Sequence, residues 1–195
     1  EYNGEIVRNP ERNLAMTKCS VFIATSLDGY IARSDGSIDW LDQVNAVVPK
    51  GEDCGYSDFM STVDALVMGR NTFEQVSAFP VWPYGKTPVV VLSRTINKLP
   101  ATSPATVFLS SDSPSQLVKQ LSAKGLEHLY VDGGLTIQSF LQAGLIDEMI
   151  ITIIPVLLGE GLPLFRKLDH DVQLECMSSK YYEFGFLQCK YRVHK

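Results

Sequence analysis

Two turns in the sequence place glycine where backbone groups can bind an anion. The first turn, Gly69-Arg70-Asn71-Thr72, follows the apolar run 65–68 and precedes a helix-like segment in which Asn71 and Thr72 are the predicted caps. A strand that runs through glycine into a helix leaves unpaired N–H groups at the positive end of the helix dipole. With an arginine beside these groups, the turn suits phosphate. An ordinary turn with a solvated arginine fits the same residues.

The second turn is Gly133-Gly134-Leu135-Thr136, directly after Asp132. Two consecutive glycines remove both Cβ atoms at the start of a helix, as is needed when a pyrophosphate lies on backbone N–H groups. Tight packing between helix and sheet explains the glycines equally well. A third turn, Ser93-Arg94-Thr95, also ends a strand. Ligands collect at the carboxyl ends of parallel strands, so the three turns predict a dinucleotide site without GxGxxG spacing.

Composition limits the function to a few classes. The chain has 195 residues, 45% hydrophobic and 20% charged, with a formal net charge of -5. This acidic balance and the lack of Lys/Arg clusters argue against a nucleic-acid partner and favour a small molecule. The apolar runs are too short to span a bilayer, so we expect a cytoplasmic protein. The cysteines lack CxxC spacing, which predicts reduced thiols and no metal site. They are Cys19, Cys54, Cys176 and Cys189.

Strand-like and helix-like segments alternate along the chain and end in a hairpin. This order predicts a single three-layer α/β domain over residues 16–195, with a mostly parallel twisted sheet and a C-terminal antiparallel hairpin. Residues 1–15 are predicted to be an N-terminal extension, 33–39 a flexible loop, and 43–57 to lack a clear period. The predicted strands are 19–25, 65–68, 87–92, 106–109, 129–131, 148–154, 175–182 and 185–193; the predicted helices are 56–63, one after Thr72, one from Ser113 and 136–143.

An ordered set of segments resembles the dihydrofolate reductase superfamily. The segments are SLDGYIA (26–32), VMGRNTFE (67–74), VVLSR (90–94) and the long stretch 131–165 that begins VDGGLTIQ. The set is most similar to the reductase domain of the bifunctional riboflavin-biosynthesis deaminase-reductase and its stand-alone relatives. The resemblance implies a dihydrofolate-reductase-like fold and an NADPH-dependent reductase acting on a pterin-like or ribosylaminopyrimidine-like C=N or imine bond. A non-catalytic NADPH-binding protein of the same fold is the alternative.

The resemblance also implies positions for the cofactor. Arg70 and Arg94 would bind the 2'-phosphate, and the two glycine turns would hold the pyrophosphate. A mobile loop from Asp28 to Trp40 would cover the nicotinamide and reach the substrate. The implied cofactor contacts are Ala24, Ile31, Ala32, Gly69, Arg70, Asn71, Thr72, Leu92, Ser93, Arg94, Gly133, Gly134, Leu135, Thr136 and Ile137.

Several residues are candidates for the catalytic groups. Classical dihydrofolate reductases have an acid on the first long helix, and Glu52, Asp53 and Asp58 lie near that place; Asp53 fits without a gap. Asp132 stands where the riboflavin branch has an acid, where it would hydrogen-bond a substrate hydroxyl or amine, or cap the following helix. Thr152 matches the threonine that supports the pterin through water.

Two further expectations concern partners. The chain has neither the zinc signature of the deaminase domain nor a basic cluster for a ribose phosphate. The apolar C-terminal hairpin and the strand 149–154 offer surface for a homodimer, which the resemblance also implies for the stand-alone relatives.

Overall fold

Short apolar segments between turn residues form the strands, and polar segments with one apolar face form the helices. The computed structural model describes residues 17–195, so the predicted extension 1–15 lies outside the described residues. The elements are β1 (Lys18–Ser26), β2 (Tyr30–Ala32), α1 (Asp39–Asn45), α2 (Tyr56–Ser61), β3 (Ala65–Gly69), α3 (Arg70–Ser77), β4 (Val89–Leu92), β5 (Val107–Ser110), α4 (Pro114–Ala123), β6 (His128–Asp132), α5 (Gly134–Gln142), β7 (Glu148–Ile154), β8 (Leu162–Pro163), β9 (Leu174–Tyr181) and β10 (Leu187–Val193).

The main sheet has eight strands in the order β5-β4-β3-β6-β1-β7-β10-β9. The strands from β5 to β7 are parallel, and the β9–β10 hairpin adds to β7 in antiparallel fashion. The predicted mostly parallel sheet with a C-terminal hairpin is therefore confirmed. Because β3, β6, β1 and β7 are parallel neighbours, their carboxyl ends meet at one edge of the sheet.

The central strands are buried on both faces. In β3, Ala65 and Val67 pack with residues of α4 and α5, whereas Leu66 and Met68 pack with residues of α2 and α3. A strand covered on both sides needs apolar side chains in both directions. This explains why the run 65–68 is apolar at consecutive positions.

The sequence did not predict helix α1. The predicted loop 33–39 and the stretch 43–57, for which no period is predicted, both overlap residues 39–45, which form a helix whose Trp40 is only 2% exposed. Trp40 packs in a cluster with Ile154, Tyr182 and Phe186, all distant in sequence. Tertiary burial of one large side chain therefore outweighs the weak local pattern.

Helix α3 begins earlier than predicted. Gly69 is its N-cap, and Arg70 is its first residue, so Asn71 and Thr72 lie within the first turn and do not cap it. The predicted caps are wrong in position because Gly69 leaves the strand directly into helical geometry. None of the described helices is long and apolar enough to cross a membrane.

The two glycine turns pack against each other. Met68 of β3 pairs with Asp132 of β6, so Gly69 and Gly133 follow at the same edge. A Cβ atom on Gly133 would overlap the Thr72 hydroxyl, and one on Gly69 would lie 2.9 Å from the Thr136 hydroxyl. Each turn therefore places its threonine in the space that the other turn's glycine leaves open.

This packing predicts that a methyl group destabilises the protein more at Gly133 than at Gly29. We expect Gly133→Ala to lower the free energy of unfolding by about 3 kcal/mol or more, because it combines a positive φ of 86° with the overlap on Thr72. Gly29 has a similar φ of 84° but nothing within 4 Å, so Gly29→Ala should cost about 1 kcal/mol. Urea denaturation measures both.

Adding Thr72→Ala to the Gly133→Ala protein removes the hydroxyl that the methyl group would meet. Part of the lost stability should return. Equal losses for the alanine variants of Gly133 and Gly29 would contradict the proposed contact.

Candidate functional site

The contact between the turns brings two helix N-termini together. Neither α3 nor α5 has a side-chain hydrogen bond at its N-cap. The first N–H groups of both helices therefore face the same edge of the sheet without a capping side chain, and both helix dipoles are positive there. The space beside Gly133 is filled by Thr72 of α3 and not by the sheet, and the result is a paired arrangement that suits a pyrophosphate.

The third turn lies beside the first. Leu92 at the end of β4 pairs with Gly69, so Ser93 and Arg94 emerge next to Arg70. The Ser93 hydroxyl accepts hydrogen bonds from the N–H groups of Thr95 and Ile96. Both arginines are exposed. Arg70 Nε is 3.9 Å from a Glu74 carboxylate oxygen, a weak contact in solvent. Two guanidinium groups therefore lie at the positive edge.

Small and apolar residues border the second turn on its other side. A Cβ atom on Gly134 would lie 2.8 Å from Ile31 Cδ1, which places β2 against the start of α5. Ala32 is buried, and Ala24 of β1 pairs with Thr152 of β7. The structure thus brings Ile31, one of the residues predicted to flank the nicotinamide, next to one of the predicted pyrophosphate turns.

The segment predicted as a mobile cover is anchored at its first residue, Asp28. The Asp28 carboxylate accepts hydrogen bonds from the Ser26 hydroxyl at 2.6 Å and from the N–H groups of Leu158 and Gly159 at 3.2 and 2.8 Å. These bonds, led by that of Ser26, hold the pKa of Asp28 below its usual value. Asp28 therefore joins the β1–β2 turn to the loop after β7, a structural use of the carboxylate.

Two other predicted residues are buried in the core. The indole of Trp40 lies in its aromatic cluster, and its N–H has no hydrogen-bond partner among the described residues. Ile137 has no exposed surface, and its N–H group donates to the Gly133 carbonyl. Ile137 therefore supports the turn from behind, whereas Leu135 beside it is 60% exposed.

The acid predicted on the first helix caps a helix. Asp53 is exposed, and its two carboxylate oxygens accept hydrogen bonds from the N–H groups of Gly55 and Ser57, both at 2.9 Å. Hydrogen bonding, chiefly from Ser57, lowers the pKa of Asp53, so this group is ionised at neutral pH. Glu52 accepts the Cys54 N–H, and Asp58 is exposed. Asp53 is therefore unsuited to donate a proton at neutral pH.

Asp132 has the opposite environment. It lies at the end of β6 in the middle of the sheet, and its carboxylate accepts the Gly133 N–H at 2.8 Å. Burial raises the pKa of Asp132 to about 6, and the Gly133 hydrogen bond offsets only part of that rise. The group can therefore carry a proton close to neutral pH.

Three tyrosines near Asp132 escaped sequence reasoning. The charge of Asp132 adds to burial in raising the pKa of Tyr56 to about 12, and it acts in the same direction on Tyr84 and Tyr130. The Tyr130 hydroxyl donates to the Phe22 carbonyl at 2.8 Å. These tyrosines are scattered in sequence, so no spacing signal could have found them.

Thr152 belongs to a side-chain network that includes a second unpredicted residue. Gln188 of β10 donates from Nε2 to the Thr152 hydroxyl at 3.0 Å and to the Cys54 carbonyl at 2.9 Å. The Tyr182 hydroxyl is 3.4 Å from Gln188 Oε1. The Thr152 oxygen therefore accepts a hydrogen bond from Gln188, which leaves its own O–H to donate to another group.

Comparison with known proteins agrees with this fold. The family model of the RibD C-terminal domain matches residues 17–187. The uncharacterised protein YwjB of Bacillus subtilis (strain 168) is 37% identical over 170 residues, which cover 86% of this chain and 92% of YwjB. The uncharacterised protein YyaP of the same organism is 25% identical over 193 residues, covering 92% of this chain and 96% of YyaP.

Solved structures show the same architecture. A protein from Shewanella sp. PV-4, named as a candidate riboflavin biosynthesis protein, is 43% identical with a TM-score of 0.86, covering 92% of this chain and 100% of that one. The deaminase/reductase of Thermotoga maritima is 14% identical with a TM-score of 0.69, and the match covers 92% of this chain and 57% of that one. Dihydrofolate reductase from Enterococcus faecalis complexed with NADP(H) is 17% identical with a TM-score of 0.60, and the match covers 92% of this chain and 98% of that one.

The last two similarities show the fold alone, which is dihydrofolate-reductase-like. The family model spans most of the chain, and two relatives match the chain over 92% and 100% of their own length. The chain therefore belongs to the family of the RibD C-terminal domain.

Proposed function

We propose that this protein is an NADPH-dependent reductase. Its substrate would be a pterin-like or ribosylaminopyrimidine-like compound that accepts hydride at a C=N or imine carbon. The observation that carries the proposal is the contact of two uncapped helix N-termini, through Thr72 and Thr136, at the edge where Arg70 and Arg94 emerge. The names of the relatives, which include a 5-amino-6-(5-phosphoribosylamino)uracil reductase and a dihydrofolate reductase complexed with NADP(H), support it.

The residues present fit this dinucleotide. The N–H groups that begin α3 and α5 would bind the pyrophosphate, and the missing Cβ atoms of Gly69 and Gly133 let the two helices come close enough to share it. Arg70 and Arg94 are exposed beside them and would bind the 2'-phosphate, for which a planar guanidinium is well suited.

The chain's own residues would support reduction in three ways. The bound cofactor would supply hydride. Ala24, Ile31 and Ala32 would exclude water from the reacting ring. Asp132, half-buried at the end of β6, would in its protonated form give its proton to the substrate nitrogen that gains electron density. The free O–H of Thr152 would orient the heterocycle directly or through water.

Cofactor binding is the first test. Titration with NADPH and NADH, followed by quenching of tryptophan fluorescence, should show tighter binding of NADPH. We expect Arg70→Ala and Arg94→Ala each to weaken NADPH binding about 10-fold to 100-fold, because each removes a charge-assisted contact worth about 1.5–3 kcal/mol. NADH, which lacks the 2'-phosphate, should be much less affected.

Arg192→Ala is a matched control. Arg192 pairs with Glu148 at the amino end of β7 and forms an ion pair with Glu175, so it lies away from the candidate site. Its loss should leave both affinities unchanged. A protein that binds neither nucleotide, or binds NADPH equally well without either arginine, would contradict the proposal.

The pH dependence of turnover tests the acid. With dihydrofolate or 5-amino-6-(5-phosphoribosylamino)uracil as probe substrates, kcat/KM should be level below pH 6 and fall about tenfold per unit above it, because the protonated form of Asp132 is the active one. Asp132→Asn should abolish this decrease of kcat/KM above pH 6 and lower the rate. Asp53→Asn, which alters a helix cap, should leave the decrease above pH 6 in place. If the decrease is lost in Asp53→Asn and kept in Asp132→Asn, the acid is Asp53.

The same carboxyl predicts a stability effect that needs no substrate. The folded state raises the pKa of Asp132 from 3.8 to about 6, so ionisation costs stability as pH rises through this interval and the cost is complete above it. Asp132→Asn should therefore increase the free energy of unfolding near pH 8 by up to about 3 kcal/mol and change it little near pH 4. Urea denaturation at the two pH values measures this, and an equal change at both would contradict it.

A further inference from the structure

Gln188 holds three groups of the chain in one hydrogen-bonded network. It lies on β10 directly opposite Thr152 of β7. Its Nε2 donates to the Cys54 carbonyl at 2.9 Å and to the Thr152 hydroxyl at 3.0 Å, and the Tyr182 hydroxyl lies 3.4 Å from its Oε1. Cys54 precedes α2 and Tyr182 follows β9, so the amide joins the sheet to two loops. Contacts from three directions hold this amide in one position.

The Cys54 carbonyl fixes the direction of the amide. A carbonyl oxygen only accepts hydrogen bonds, so the NH2 end of Gln188 must face it, because the reverse orientation would set two acceptors 2.9 Å apart. The NH2 group has two hydrogens, and it uses one for Cys54 and one for Thr152. The Thr152 oxygen is therefore the acceptor in its contact with Gln188.

The Thr152 hydroxyl still has a hydrogen to donate. No group in the described part of the chain accepts it, and Thr152 is only 5% exposed, so water reaches it poorly. A buried donor without an acceptor is unfavourable, and a bound group that accepts its hydrogen removes this cost. What the site lacks at Thr152 is therefore a hydrogen-bond acceptor.

Thr152 and Asp132 lie on the same face of the sheet. Ile150 and Tyr130 pack in one cluster on the α2 side, and the side chains two residues further along each strand return to that face. Strand β1 lies between β6 and β7, and its Ala24 is opposite Thr152. Two strand spacings amount to about 10 Å. A planar ring can therefore lie between Asp132 and Thr152, above the single methyl group of Ala24.

We propose that Gln188 is a specificity-determining residue. By making Thr152 a donor, it selects a heterocycle that presents an acceptor at this point, either an oxo oxygen or an unprotonated ring nitrogen. An exocyclic amino group is disfavoured, because its N–H would meet the O–H of Thr152. This role rests on the proposed function for the place of the heterocycle, between Asp132 and Thr152. Gln188 is a positioning residue that acts through Thr152.

Replacing Gln188 should change the polarity of Thr152 in a defined way. In Gln188→Glu, the ionised carboxylate only accepts, so the Thr152 hydrogen turns toward it and the hydroxyl oxygen is left to accept from a ligand. In Gln188→Met, a side chain of similar length imposes neither direction. The first variant should therefore reverse the preference of the site, and the second should abolish it.

Two planar probes of the same shape measure this preference. Pteridine-2,4-dione has oxo groups at both carbons of its pyrimidine ring, and 2,4-diaminopteridine has amino groups at the same positions. In fluorescence titrations of the whole chain at pH 7, the wild type should bind the dione about tenfold more tightly than the diamine. Gln188→Glu should bind the diamine more tightly, and Gln188→Met should bind both alike. Thermal unfolding confirms the fold of each variant.

A double-mutant cycle separates the hydroxyl from the new charge. Thr152→Val removes the hydroxyl, so adding Gln188→Glu to that protein should no longer change the ratio of the two affinities. The carboxylate is still present there, so a change that persists comes from its charge and would overturn the proposal. Lys190→Met is the matched control. Lys190 lies two residues along β10 and bonds Glu148 at 2.9 Å, and its loss should leave the ratio unchanged.

NADPH oxidation distinguishes this proposal from the reductase assignment. If the wild type shows the predicted preference but neither binds nor oxidises NADPH, the reductase assignment is wrong and the role of Gln188 stands. If NADPH is oxidised and the wild type binds the probes equally, prefers the diamine or binds neither, the role of Gln188 is wrong. An unchanged ratio in Gln188→Glu would also overturn it.

Discussion

The candidate site depends on the reciprocal packing of two turns, in which a threonine of each turn lies against a glycine of the other. Thr72 occupies the space beside Gly133, and Thr136 occupies the space beside Gly69, so each helix can start where it does because the other turn lacks a side chain. Glycine costs about 0.5–1 kcal/mol of conformational entropy at such a position, which the packing of two helices on neighbouring strands offsets. The result is a rigid pair of positive helix ends. Preorganised donors of this kind bind an anion without first rearranging.

The carboxylates near this edge show how environment decides the role of a side chain. Asp28 and Asp53 are exposed, each accepts hydrogen bonds from two backbone N–H groups, and the pKa of each is lowered. Asp132 has one such bond and is half-buried, and burial raises its pKa to about 6. The first two therefore behave as fixed anions that join loops and cap helices. Only the third is poised to exchange a proton in the physiological range.

Sequence reasoning succeeded where local pattern and structure have the same cause. The doubly buried run 65–68 marked a central strand, and glycine after that strand marked a turn that the structure places against its counterpart at Gly133. It failed where distant residues decide. Helix α1 forms because Trp40 is buried by Ile154, Tyr182 and Phe186, and Gln188 reaches Thr152 from the far end of the chain. The capping role of Asp53 depends on the direction of two N–H groups, which spacing cannot reveal.

The hairpin that closes the sheet also connects the site to its outer edge. Gln188 lies between Thr152 of β7 and Lys180 of β9, so these three residues form one row across three strands. Its amide holds the Thr152 hydroxyl, and the Lys180 ammonium on the other side lies 4.1 Å from the centre of the Tyr182 ring. A strand at the end of a sheet is otherwise free to fray, because it is hydrogen-bonded on one side only. Because β9 takes this outermost place, β10 is hydrogen-bonded on both sides, and the amide that orients Thr152 lies one strand inside the edge that can fray.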